Sequence, residues 1–264
     1  MPAFVVTGAE KPNSATVLWQ AVMPTVTASS SAVGYPAINV TDPATWSSWR
    51  GAGVNSWIGY DFGTPVSVDA LGLAAHDLAT SGVTSISIAT SPTAAIGSFI
   101  TVATYTTLTN EDILAIFPAV TNRYWRVYIN GPAANIGVIV FGKRLVFPHA
   151  PVDGYTPLHH SRQYTKMFND SIKGQFLGNR VMAAGAETDV DMGMFDRPWL
   201  EGNIRPFEYH YNQGGCFFYA GCPGKYPLDM GYCRALGDDE SLAIEWTEAD
   251  KLATLSFGIR SYVG

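Results

Sequence analysis

Charge is scarce in this chain. Only 14% of its 264 residues are Asp, Glu, Lys or Arg, and the longest basic cluster is the pair Lys143-Arg144. With a formal net charge of −6, it offers a polyanionic backbone no complementary surface, so nucleic acid is not an expected partner. Long apolar runs are missing too. The stretch IGVIVFG, residues 136–142, is far short of the roughly 20 residues a membrane helix needs, and no membrane insertion is expected. The three cysteines are odd in number and cannot complete a disulfide framework. The opening MPAFVVTGAEKPNSATVLW lacks the succession of basic leader, apolar core and small-residue cleavage site that marks a signal peptide, so cytoplasmic synthesis is expected. No internal repeat, phosphate loop, G-x-S-x-G elbow or H-E-x-x-H helix is present in the sequence.

What the chain has in quantity is turn and ring. Gly 26, Pro 16 and 12% aromatics describe a mainly β protein. In NRYWRVYIN, residues 122–130, Trp125, Val127 and Ile129 alternate with Tyr124, Arg126 and Tyr128, the pattern of a half-buried strand. Further strands are expected at AFVVTG, ATVLWQAV, WIGYDF, VDALGLAAHD, VTSISIAT, FITVATYTTL and IGVIVFG. Short strands at this spacing, with turn signals between them, form a sandwich over residues 1–147. FPHAPVDGYTP, with three prolines and a glycine, breaks regular structure and marks a boundary. Residues 148–264 read as an α+β domain with one main helix. That helix begins near Arg197-Pro198, is kinked or interrupted by Pro206, and ends at Gly214-Gly215.

Constellations for chemistry are thin. His210, Cys216, Cys222 and Cys233 could be zinc ligands, but their spacing lacks the paired C-x2-4-C knuckle, and core cysteines are the plainer reading. His159 and His160 point to opposite sides if the chain there is extended. Asp189 and Asp191 share a face opposite Val190, Met192 and Met194, as a solvated strand face does without any glycosidase dyad. No catalytic residue and no metal ligand is assigned.

Read in order, SSSAVGYPAINVTDPATWSSWR, WIGYDFG, VTSISIATSPT, NRYWRVYIN and VIVFGK resemble the discoidin, or coagulation-factor type C, family of galactose-binding-like jelly rolls, over about residues 28–143. The resemblance implies a jelly-roll β-sandwich with Trp125 in its core and Arg123 or Arg126 in a structural pairing; Trp57 is expected in the core because it opens the WIGYDF strand. The resemblance also implies ligand loops at one end of the sandwich, where the candidate sugar-binding residues are Trp46, Trp49, Arg50 and His76. The alternative for these is structural: Trp46 and Trp49 capping the core, His76 a polar loop residue. Many carbohydrate-binding members of the family hold calcium. Here Asp42 is followed by Pro43, and Ile136-Gly137-Val138 stands where a glutamate is usual, so no cofactor is expected and calcium is only weakly suggested.

The second half, in KGQFLGNRV and FFYAGCPGKYPLDMGYCRALGDDE, resembles segments of structural proteins from the distal tail or baseplate of long-tailed bacteriophages. That resemblance implies a virion tail protein assembled in the host bacterial cytoplasm. Its partners would be copies of itself in a ring, other phage tail proteins, and host-surface glycans met by the sandwich. The alternative is a carbohydrate-binding module protein without catalytic activity. An enzyme using Cys233 or the aspartates is a third reading.

Overall fold

The computed structural model describes residues 3–6, 13–106, 108–152, 154–247 and 252–263. Thr7-Gly8 and Thr107, at the ends of two expected strands, lie outside them. The elements in chain order are β1 (Ala3–Val6), β2 (Thr16–Leu18), β3 (Thr25–Ala28), β4 (Trp49–Arg50), β5 (Ser56–His76), β6 (Ser85–Ser91), β7 (Ile100–Tyr105), β8 (Ile113–Asn130), β9 (Asn135–Gly142) and β10 (Leu145–Val146). After these come β11 (Arg162–Asp170), β12 (Phe176–Asp196), α1 (Arg197–Asn203), α2 (Arg205–Asn212), β13 (Phe217–Ala220), β14 (Met230–Ala235), β15 (Ala243–Thr247) and β16 (Leu252–Ser261). The fold is mainly β, with a jelly-roll sandwich first. In place of one main helix there are two short ones meeting at Ile204, because Pro206 in the first turn of α2 has no N–H for a continuous helix.

One hydrogen-bonded sheet supplies both layers of the sandwich, since β5 and β8 fold over together. WIGYDF and VDALGLAAHD are therefore one strand, and ILAIFPAV runs straight into NRYWRVYIN. The first half of β5 pairs with β3 and with the end of β8; its second half pairs with β9 and the start of β8. The corner lies where register shifts between Asp61 and Val66, with Gly63 at φ +75. Arg123 grips Asp61 across that corner with two bonds of 2.6 and 2.8 Å. The hydrogen bond from Arg123 lowers the Asp61 carboxyl below its usual range. Half exposed and screened by solvent, the pair adds little to stability; its role is to hold the bend. Arg126 pairs differently, its guanidinium carbon lying 4.1 Å from the Trp57 ring and 3.8 Å from that of Phe99. Trp57 is accordingly half-buried over a cation and not in the core, because it lies on the face opposite Ile58 and Tyr60. Trp125, Val127 and Ile129 are buried as their alternation required. VTSISIAT loses its phase at a bulge between Ile88 and Ala89, which buries both residues.

The second sheet runs β10-β2-β13-β14-β16-β12-β11, with β15 beside β16. It covers the inner layer of the sandwich, and Leu18, Phe218, Ala220, Met230 and Tyr232 meet Ala70, Ala74, Leu114, Ile116, Val138 and Val140 in one buried cluster. That explains the almost wholly apolar IGVIVFG: Ile136, Ile139 and Phe141 face the sandwich core while Val138 and Val140 face the second sheet. Gly72 is a necessity of this contact, since a Cβ there would overlap the Phe218 ring. On the sheet's far face, Phe217, Tyr219, Phe257 and Ile259 pack against Leu200, Ile204, Phe207 and Tyr211 of the helices. Two expectations for this half need correction. Met194 leaves the Val190-Met192 face at a bulge, with φ +66 and 69% exposure. His159 and His160 sit in a 3-10 turn rather than an extended segment, so their rings lie 4.0 Å apart.

Candidate functional site

The end of the sandwich formed by residues 29–48, 51–55, 77–84 and 131–134 gathers the loops between β3 and β4, β4 and β5, β5 and β6, and β8 and β9. The four candidate residues all belong to this end or border it, but only some of them face solvent. Trp49 has no exposed surface. Its indole N–H donates to the Ser30 carbonyl at 3.1 Å and to Ser31 Oγ at 3.2 Å, so it pins the long loop to the core and offers no face to a sugar. Arg50 is exposed on the two-residue strand β4, which pairs with β9. His76 is 7% exposed, and neither ring nitrogen makes a hydrogen bond of good geometry. Burial pushes its pKa down to about 4, against a smaller opposing effect of the Asp77 charge. Trp46 has 87% of its surface in water.

Trp46 stands on the rim of a groove of about 410 Å³ whose other wall belongs to the second sheet. The Tyr232 hydroxyl donates to the Pro43 carbonyl at 3.1 Å and ties the loop to β14 at the groove floor. Arg234 of β14 and Arg260 of β16 are directly opposite each other in register, and Tyr262 continues the wall. Glu187 reaches Arg260 at 3.2 Å from the neighbouring strand. Nothing in the sequence pointed to Arg234, Arg260 or Tyr262. They lie some 190 to 215 positions beyond Trp46, and only the apposition of sheet and sandwich brings them to it.

A second titratable group lies at the same junction. Asp112 is 8% exposed, and its Oδ2 accepts the Tyr232 backbone N–H at 2.7 Å. Burial raises its pKa to about 7, with that hydrogen bond acting in the opposite sense. On the helix side, Asp229 accepts from the Tyr155 hydroxyl at 2.8 Å and the Leu158 N–H at 2.9 Å, a closed structural arrangement. The three cysteines are free thiols. Burial pushes the Cys233 thiol up, the reverse of what a nucleophile needs. His210 Nε2 is engaged with the Cys216 carbonyl at 2.9 Å. Among the described residues no group of three or more His, Cys, Asp or Glu is placed to hold a metal.

Residues 25–140 match the family model of the F5/8 type C domain. The first half of the chain thus carries a discoidin-like domain, in the segment where the sandwich stands. Among solved structures, the chain is similar to chitosan-binding module 1 from a chitosanase/glucanase of Paenibacillus sp. IK-5, at 23% identity and a TM-score of 0.41, over 47% of this chain and 97% of that one. It is also similar to the CBM32 of AlyQ in complex with 4,5-unsaturated mannuronic acid, at 24% identity and a TM-score of 0.39, over 44% and 92% of the two chains. A fucosidase of Ruminococcus gnavus in complex with fucose matches at 15% identity and a TM-score of 0.40, over 47% of this chain and 26% of that one. Comparison with curated proteins found no match.

Proposed function

We propose that this chain is a non-catalytic glycan-binding protein that engages sugar at the loop end of its discoidin-like sandwich, through Trp46. The observation that carries this reading is an indole 87% exposed on a loop whose neighbouring tryptophan is locked in the core. A flat apolar ring held in water beside a groove suits the C–H face of a pyranose, while adjacent polar groups select its hydroxyls. Trp46→Ala is expected to weaken binding by about two- to tenfold, the free energy of a good stacking contact being of order 1 kcal/mol. Ile100→Ala, a change to an exposed residue in the opposite half of the sandwich, should leave it unchanged. A glycan array followed by calorimetry on any hit measures both; equal affinity of wild type and Trp46→Ala would sink the reading.

A second reading, a ring-forming component of a phage tail tip, is favoured by one specific feature. The hairpin made by β11 and the first part of β12 is exposed on both faces and carries Met167, Phe168, Ile172, Phe176, Leu177 and Met182, each more than half exposed. A two-stranded ribbon is marginal in water by itself, and a contiguous set of exposed apolar side chains is the kind of surface a partner covers. Lys166, Lys173 and Arg180 make the hairpin basic, whereas Asp189, Asp191 and Glu245 are exposed elsewhere on the same sheet. A second copy fits: its acidic face against this basic hairpin is a head-to-tail contact of the kind that closes rings. Light scattering should give an oligomer for the wild type and a monomer for Phe168→Ser/Phe176→Ser. A wild type that stays monomeric at every concentration would end this assignment of the hairpin.

A further inference from the structure

We infer that the groove beside Trp46 takes an acidic saccharide, with its carboxylate held by Arg234 and Arg260; the inference rests on the glycan-binding reading and specifies its ligand class. Two like charges directly opposite each other on adjacent antiparallel strands repel, and Arg234 and Arg260 are such a pair. Glu187 answers only Arg260, at 3.2 Å. Arg234 is exposed and donates through Nη1 to the Ala235 carbonyl at 3.0 Å; no carboxylate among the described residues lies within ion-pair distance of it.

No described residue that lines the groove is acidic, although the chain as a whole has a formal charge of −6. The groove is thus a local cationic site on an acidic protein. A guanidinium presents paired N–H donors in a plane that matches the two oxygens of a carboxylate. With Trp46 lining the same groove, it offers a stacking face for the ring and a cationic end for the acid. Its volume of about 410 Å³ lies within the range of small-ligand clefts. A neutral sugar could use the indole but would leave the Arg234 charge unanswered. Both halves of the chain contribute, so the sandwich alone would lack the acid-binding wall.

Calorimetry on the full chain with trigalacturonate, trimannuronate and sialyllactose, each beside its carboxyl-reduced counterpart, tests this. At least one acid should bind about tenfold or more tightly than its reduced form, the size expected for a charge-assisted pair. That gap should narrow with added salt and close in Arg234→Gln, while Trp46→Ala weakens acid and reduced forms alike. If acid and reduced forms bind equally and Arg234→Gln changes nothing, the acidic ligand class is wrong and the glycan-binding reading survives. If none of the saccharides binds, or binding ignores Trp46→Ala, both fall together.

Discussion

Phe218→Ala is expected to lower the free energy of unfolding by about 3–5 kcal/mol, the range for removing a fully buried phenyl ring. Phe218 has no exposed surface, and its ring sits at the contact between the second sheet and the inner layer of the sandwich. It packs at a tilt against Tyr232, with ring centroids 4.9 Å apart, and lies directly over Gly72. Gly72→Ala should therefore destabilise as well, by about 1–3 kcal/mol, since the new methyl would overlap the ring unless β5 or β13 moves. The two changes should be coupled: the added methyl is harmful with phenylalanine at position 218 and much less so with alanine, where the space is vacant. Because β2 and β10 from the first half of the chain join the second sheet, unfolding should follow a single cooperative transition. Urea titrations of the four proteins, with calorimetry of the wild type, check all of this. A loss below about 1 kcal/mol for Phe218→Ala, or two separate heat-absorption peaks, would show that sheet and sandwich do not share a core.

Asp112→Asn and His76→Gln should tilt the pH dependence of stability in opposite directions. Asp112 titrates from 3.8 unfolded to about 7 folded. The folded state therefore binds more protons than the unfolded state between those values, and this residue's contribution falls as pH rises through the window. His76 titrates from 6.5 unfolded to about 4 folded, so the folded state binds fewer protons there, and its contribution rises with pH. At 1.36 kcal/mol per unit, the two effects are on the order of 4 and 3 kcal/mol. Between pH 4 and 6.5 they largely cancel in the wild type. Relative to wild type, Asp112→Asn should gain stability as pH climbs from about 4 to 7, because asparagine can still accept from the Tyr232 N–H without the burden of a buried charge. His76→Gln should lose relative stability over about pH 4 to 6.5. Denaturant midpoints at unit pH steps give both slopes; the slopes are the signal, since each substitution also adds a constant offset. Parallel curves for all three proteins would mean that neither group is buried as described.

Much of the fold was legible in local pattern. The alternation of Trp125, Val127 and Ile129 with polar partners specifies a strand with one dry face, because successive side chains point to opposite sides of a sheet. Pro206 announces the break between α1 and α2 for an equally local reason. The order of the loop, WIGYDFG and NRYWRVYIN segments likewise carried the discoidin-like resemblance. Burial was less legible. Trp46, at the end of a loop, and Trp49, which opens β4, are three positions apart and chemically identical, yet one is 87% exposed and the other fully buried. The difference comes from Ser30 and Ser31, which accept the Trp49 indole N–H from almost twenty residues away. Trp57 stands outside the core although it heads a core strand, since that position does not fix which face a residue takes.

The chain's β character, its sandwich and the candidate loop follow from period-two patterning, turn residues and segment order. The surroundings of Trp46 do not. Arg234 and Arg260 come opposite each other through the register of β14 on β16, and Trp46 reaches their groove because the second sheet covers the sandwich's inner layer. Register and apposition depend on contacts between residues far apart in the chain, and no local pattern encodes them.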